Sequence, residues 1–314
     1  MKRLFTVFAV VFCGILLTGA EPVKKLRILA IGNSFSISVD KELAQIVKSD
    51  PASEMRLRHA YIGGCSLQRH WEEHLKSEKD STYKPYSKKY SLRDLLTEDK
   101  WDIVTIQQSS PLSWKKETYE PYAGNLIKLV RELAPSAEIV IQQTWSYNAA
   151  SAQFRSTWKY AWKYNGQQMT QDLMYECLTD SYTSAAKQYK LRIIPTGYAI
   201  QQYRKAMGDK LVSMAPANYQ DIVKPAVPTT NDVVGCFFWR HDEKKGQETL
   251  RLDTKHLNER GHYFQSLVWY AALFGKDPEK ITYRPDFVSG EEAELFKKCA
   301  KEAVATFPQV KQSE

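Results

Sequence analysis

Five short apolar runs punctuate the chain, at residues 26–31, 55–62, 102–107, 137–143 and 191–195. The first, Leu26-Arg27-Ile28-Leu29-Ala30-Ile31, ends at Gly32 and is short, mostly apolar and without strict alternation. Such a run suits a strand buried on both faces of a parallel sheet. Between and after the runs, residues 40–48, 66–77, 117–134, 171–189 and 257–274 repeat apolar positions at helical spacing. Strands alternating with helices imply right-handed βαβ crossovers. The pattern therefore predicts an α/β fold, a flavodoxin-like three-layer α/β/α sandwich. Its sheet should be parallel and five-stranded.

Two segments exceed what such a fold needs. Residues 144–170 contain Trp145, Tyr147, Phe154, Trp158, Tyr160, Trp162 and Tyr164, and residues 208–252 contain Phe237, Phe238 and Trp239. Long insertions this aromatic are expected to be ordered and functional. Both are read as loops leaving the C-terminal side of strands and bordering a crevice. There the aromatic rings either stack on a sugar or form the core of a lid. No internal repeat or low-complexity segment is present, and one domain over 21–314 is expected. The polar end after Phe307 should fray.

Composition narrows the setting. Residues 1–20 run from Lys2 and Arg3 through an apolar stretch to Thr18-Gly19-Ala20, the pattern of a secretory signal peptide cut after Ala20. Cys13 falls within that stretch and follows no lipobox. No later segment is apolar enough to span a bilayer, so a periplasmic or secreted protein without stable membrane insertion is expected. Removing Lys2 and Arg3 takes the formal charge from +8 to +6 (8 − 2). The remaining basic residues are scattered and form no stripe, so nucleic acid is not an expected partner. Cys65, Cys177, Cys236 and Cys299 match no zinc spacing. An oxidising compartment permits disulfides, with three pairings or none open.

Candidate chemistry sits at two distant places. After the first strand the sequence reads Gly32-Asn33-Ser34-Phe35-Ser36, and near the other end Asp253-Thr254-Lys255-His256 precedes an apolar helical pattern. Ligand crevices of open α/β sheets lie beyond the carboxyl ends of the strands, so Ser34 should face substrate. Asp253, three residues before His256, can hold one tautomer of the imidazole while the other ring nitrogen faces Ser34. These are the roles of nucleophile, general base and orienting acid. Among the other histidines, His70 and His74 flank Glu73 as a conceivable metal pair without an evident third ligand. His262 is read as a packing or capping residue, and His241-Asp242 as surface.

Together these two motifs resemble those of the SGNH/GDSL hydrolase superfamily over roughly residues 26–275, with Asn33 where the usual first block has Asp. The resemblance implies strand order 2-1-3-4-5 in the sheet and a serine esterase that needs no metal or organic cofactor. It further implies an oxyanion hole with the N–H of Ser34 and a glycine after the second strand. In Tyr61-Ile62-Gly63-Gly64-Cys65-Ser66, Gly64 is the better match and Gly63 the fallback. Independently of any family, a Gly pair at a strand-to-helix turn can aim N–H groups at developing negative charge. The third strand departs from the family: it ends Ile106-Gln107-Gln108-Ser109-Ser110 where a Gly-x-Asn-Asp block is usual. Gln107 can donate through its carboxamide in place of the missing Asn, and Ser109 is the alternative. Export and the aromatic insertions point to an acylated carbohydrate as substrate. A lipid esterase and a non-catalytic glycan-binding protein on the same fold are the rival readings.

Overall fold

The computed structural model describes residues 22–213, 219–244 and 246–309. The leader pattern at 1–20 lies outside them, as does most of the polar tail after Phe307. In chain order the strands are β1 (Lys24–Gly32), β2 (Ser53–Tyr61), β3 (Ile103–Ile106), β4 (Glu138–Gln142), β5 (Lys163–Tyr164), β6 (Gln167–Gln168), β7 (Arg192–Ile194), β8 (Val234–Asp242) and β9 (Gln247–Leu257). The helices are α1 (Ser34–Ile37), α2 (Asp40–Lys48), α3 (Leu67–Lys79), α4 (Leu92–Thr97), α5 (Tyr122–Leu133), α6 (Gln171–Tyr189), α7 (Thr196–Met207), α8 (Glu259–Phe274) and α9 (Gly290–Thr306).

The main sheet has the order β2-β1-β3-β4-β7 and is parallel throughout, the 2-1-3-4-5 order of the expected sandwich. Its middle strands carry Ile28, Leu29, Ala30, Ile31, Val104, Ile106, Val140 and Ile141, all buried. Residues of both parities are covered, which is why these runs do not alternate. The chain moves one way from β1 to β2 and the other way from β2 to β3. Right-handed crossovers therefore put α2 and α3 on opposite faces. Helix α8 returns to pack beside α2, whereas α3 packs against α5. The reversal makes the carboxyl ends of β1 and β3 the topological switch point of the sheet, the place where open α/β sheets bind ligands.

The sequence pattern places α5 too early, from residue 117. Pro121 has no N–H to give a preceding turn, so residues 116–118 form a 3-10 turn and the α-helix begins at Tyr122. Helix α9 is absent from the pattern reading although its start is marked. Ser289 accepts from the N–H of Glu292 at 3.1 Å, and Ser-x-x-Glu is an N-terminal signature. Phe296 of α9 stacks on Phe264 of α8 with ring centroids 4.7 Å apart. Covered by α9 on one side and the sheet on the other, α8 is buried from Tyr263 to Phe274.

The insertion at 208–252 needs the larger correction. It follows a helix, α7, and not a strand, and its second half is ordered as the antiparallel β8–β9 hairpin. Phe237, Phe238 and Trp239 belong to β8, and the Asp253–His256 motif lies on β9 itself. The other insertion contains a second small hairpin, β5–β6. Asn165 and Gly166 at its tip both have positive φ, 49° and 81°, as a two-residue type I′ turn requires. The Asn-Gly pair is a sequence signal for it.

Candidate active site

Ser34 begins the one-turn helix α1, where β1 leaves the sheet. The preceding Asn33 has extended backbone and caps the turn, its Oδ1 accepting from the N–H of Phe35 at 3.0 Å. Asn33 is buried and tied in two further directions. Its Nδ2 donates to the carbonyl of Cys65 at 2.9 Å, and its Oδ1 also accepts from Gln107 Nε2 at 2.7 Å. One side chain thus links the ends of β1, β2 and β3. Gly32 permits this close approach: a Cβ there would stand 2.7 Å from Ser36 Oγ and 3.1 Å from the Gln107 side chain.

The structure brings Ser34, His256 and Asp253 into one hydrogen-bonded chain. Ser34 Oγ lies 2.8 Å from His256 Nε2, across 222 residues of sequence, and His256 Nδ1 lies 2.7 Å from Asp253 Oδ2. Asp253 Oδ1 accepts from the backbone N–H of Lys255 at 2.7 Å and of His256 at 3.0 Å. Burial pushes the Asp253 carboxyl up. The bonds from the His256 ring and the two N–H groups outweigh that and hold it at about 2. At neutral pH it is a carboxylate, the state that keeps the Nδ1–H tautomer and leaves Nε2 to accept from a hydroxyl.

The base of the β8–β9 hairpin fixes that motif from behind. Arg204 and Asp232 form a buried ion pair at 3.1 Å. Asp232 Oδ1 accepts from the N–H of Val234 at 3.1 Å, while Asn148 donates from Nδ2 to the carbonyl of Val234 at 2.8 Å and from its backbone N–H to the carbonyl of Thr254 at 2.9 Å. Trp145 is buried, 1% exposed, and its indole N–H donates to the carbonyl of Lys255 at 2.8 Å. Its ring stacks on Phe35 at 4.2 Å, and Phe35 meets the His256 ring edge-on at 5.3 Å. Trp145 therefore cannot stack on a sugar, as a crevice-bordering role requires. Tyr147 is buried too, bonded to Ser110 Oγ at 2.9 Å, and burial pushes its phenol up to about 12.

Gly64 is exposed at the end of β2 with φ +62°, in a turn closed by Cys65 N–H on the carbonyl of Ile62 at 3.2 Å. A Cβ at Gly64 would meet nothing within 4 Å, so the backbone faces open space. Among the described residues the N–H groups of Ser34 and Gly64 have no hydrogen-bond partner. Gln107 is buried against Asn33, its Oε1 without a partner. Ser109 is also buried and gives its N–H to Gln108 Oε1 at 2.8 Å. His70 bonds Tyr86 at 2.9 Å, and burial lowers it to about 4. His74 lies 3.8 Å from Glu78, and among the described residues no group of three or more His, Cys, Asp or Glu gathers as a metal site. Cys65, Cys177, Cys236 and Cys299 are free thiols, and burial pushes Cys65 up to about 12.

The family described as a domain of unknown function, DUF4886, matches residues 27–214. The chain belongs to the DUF4886 family. A solved DUF4886 family protein from Bacteroides uniformis ATCC 8492 is 23% identical, with a TM-score of 0.65 over 92% of this chain and 98% of that chain. This similarity establishes the shared fold. A candidate SGNH hydrolase from Slackia heliotrinireducens is 18% identical with a TM-score of 0.47, covering 80% of this chain and 100% of that one. For an acetyl xylan esterase, AlAXEase, the values are 11% identity and 0.47, with 79% and 100% covered. No curated protein matches. In this DUF4886 chain the matched region holds Ser34, Gly64 and Gln107, while Asp253 and His256 lie beyond it. No helix among the described residues is long and apolar enough to cross a membrane.

Proposed function

We propose that this DUF4886 chain is an exported serine esterase of the SGNH type that removes acetyl or similarly short acyl groups from a carbohydrate. The observation that carries the reading is the chain Ser34 Oγ–His256 Nε2–Asp253 at the sheet's switch point. Ser34 Oγ attacks the ester carbonyl while His256 Nε2 takes its proton. The alcohol leaves with that proton, and the acyl group remains on Ser34. Water, deprotonated by His256 in turn, attacks the acyl-enzyme and releases the acid. Asp253 holds the ring and stabilises the imidazolium.

The N–H groups of Ser34 and Gly64 are the proposed donors to the tetrahedral oxyanion. Gln107 is the proposed third. One amide hydrogen serves Asn33, and the carboxamide has a second to give. Export rests on the leader pattern at 1–20, and the carbohydrate on the aromatic insertion. Hydrolysis of p-nitrophenyl acetate by the wild type and its loss in Ser34→Ala, with the fold retained by circular dichroism, tests the reading. Undiminished hydrolysis by the variant would overturn it.

A further inference from the structure

Between Glu138 and Asp172 the chain contains no Asp or Glu, and none stands between Asp102 and Glu117. These two stretches meet in space. Trp162 of the insertion packs on Trp114 with centroids 5.4 Å apart and on Tyr147 at the same distance. Neither stretch supplies a carboxylate of its own to the lobe they form. Of its cations, Lys116 pairs with Asp180 of α6 at 3.5 Å, whereas Lys115, Lys159 and Lys163 pair with no carboxylate among the described residues. Two of them lie over aromatic rings, Lys115 over Trp114 at 4.9 Å and Lys159 over Tyr160 at 4.6 Å.

The lobe has an inner and an outer set of aromatics. Trp162 and Phe154 turn inward to Tyr147. Trp158, Tyr160 and Tyr164 face out, 36%, 60% and 39% exposed. Trp158 and Tyr160 brace each other edge-to-face at 5.4 Å, so little side-chain freedom remains to be lost on binding. The lobe is also joined to the reactive motif. Ser151 at its base accepts from Thr254 Oγ1 at 3.3 Å, next to Asp253, and Lys255 reaches over the Tyr147 ring at 5.8 Å.

We propose that this acid-free aromatic lobe binds an anionic glycan, a carboxylate-bearing polysaccharide whose ester groups enter the Ser34 site. The proposal rests on the esterase reading for the second half of that statement and on the lobe alone for the first. Outward rings supply faces for pyranose stacking, and unpaired ammonium groups supply attraction to carboxylates that falls as salt screens it. Nucleic acid meets the same charge and aromatic criteria, but it has no carboxylic ester to present to a serine beside the lobe.

Binding of de-esterified polygalacturonate, measured by affinity electrophoresis, tests the lobe without requiring catalysis. Lys159→Gln/Lys163→Gln and Tyr160→Ala should each weaken retardation. The double lysine variant should lose about tenfold in affinity, since two exposed charges contribute up to a few-fold each. A charge-matched control, Lys48→Gln/Lys280→Gln at the opposite end of the sheet, should bind as the wild type does. Half-molar salt should abolish the difference between the two double variants. Equal retardation by a neutral xylan, equal loss in the control variant, or equal displacement by a single-stranded oligonucleotide would overturn the proposal. Failure to hydrolyse p-nitrophenyl acetate would instead overturn the esterase reading and leave the binding result standing.

Discussion

The indole N–H of Trp145 donates to the carbonyl oxygen of Lys255 at 2.8 Å, one residue before His256. Through this bond, and through the Phe35 ring stacked between Trp145 and the imidazole, a buried aromatic controls where the proposed base sits. Trp145→Phe keeps the stack and removes the donor. A hydrogen bond of this kind is worth about 1 kcal/mol, so kcat on p-nitrophenyl acetate should fall about fivefold with KM unchanged. Steady-state kinetics beside a thermal melt decide it: a lowered Tm with kcat intact would make Trp145 structural only.

Asn33 must donate as well as accept, because its Nδ2 meets the Cys65 carbonyl. An Asp there would set a carboxylate oxygen against a carbonyl oxygen in a buried site. Asn33→Asp should therefore destabilise the fold by about 1–3 kcal/mol and lower kcat by loosening the turn that carries Ser34. Urea denaturation with parallel kinetics checks this. An unchanged midpoint would show that the three strand ends are not joined through this amide.

Asp253 has a folded-state pKa of about 2 against an ordinary 3.8. A depressed carboxyl contributes stability that is fully present above the unfolded value and is lost as pH falls through the folded one. The stability advantage of wild type over Asp253→Asn that comes from this ionisation should hold above about pH 4, be mostly lost at about pH 2 and vanish below it, as read from urea midpoints across that range. On the esterase reading, this variant also loses less kcat than Ser34→Ala. A stability gap as large at about pH 2 as at about pH 5 would mean the carboxylate–imidazole bond is not its source.

Arg204 and Asp232 are both buried, and Asp232 anchors the strand leading to the hairpin. Removing one partner leaves the other charge uncompensated, at a cost of about 3–5 kcal/mol. Asp232→Ala should lose that much, while Arg204→Met with Asp232→Leu should lose much less. Equilibrium unfolding of the three proteins tests the difference.

The five-stranded sheet is legible because strands covered on both faces read as unbroken apolar runs. Ser34, Asp253 and His256 are legible because their places, after β1 and before α8, are marked by a Gly turn and an Asp-x-x-His spacing. The β8–β9 hairpin is not. Its strands are covered irregularly, without a clean alternation of buried and exposed residues, and Val-Gly-Cys-Phe-Phe-Trp reads as aromatic loop as readily as strand. Nor could the sequence separate Trp145, fixed inward by a carbonyl acceptor on a distant strand, from Trp158, which faces out. Both stand in one insertion, and their directions follow from partners far along the chain. The same holds for Gln107. Its residue type suggested a donor, but its bond to Asn33 depends on how closely β1 and β3 approach.

The most direct test is covalent labelling by a serine-directed organophosphate, followed by peptide mapping. The account predicts one adduct per chain, carried by Ser34, with ester hydrolysis lost as the adduct forms and both effects absent from Ser34→Ala and His256→Ala. An adduct on another residue with activity lost, or full ester hydrolysis by a protein labelled at Ser34, would contradict it.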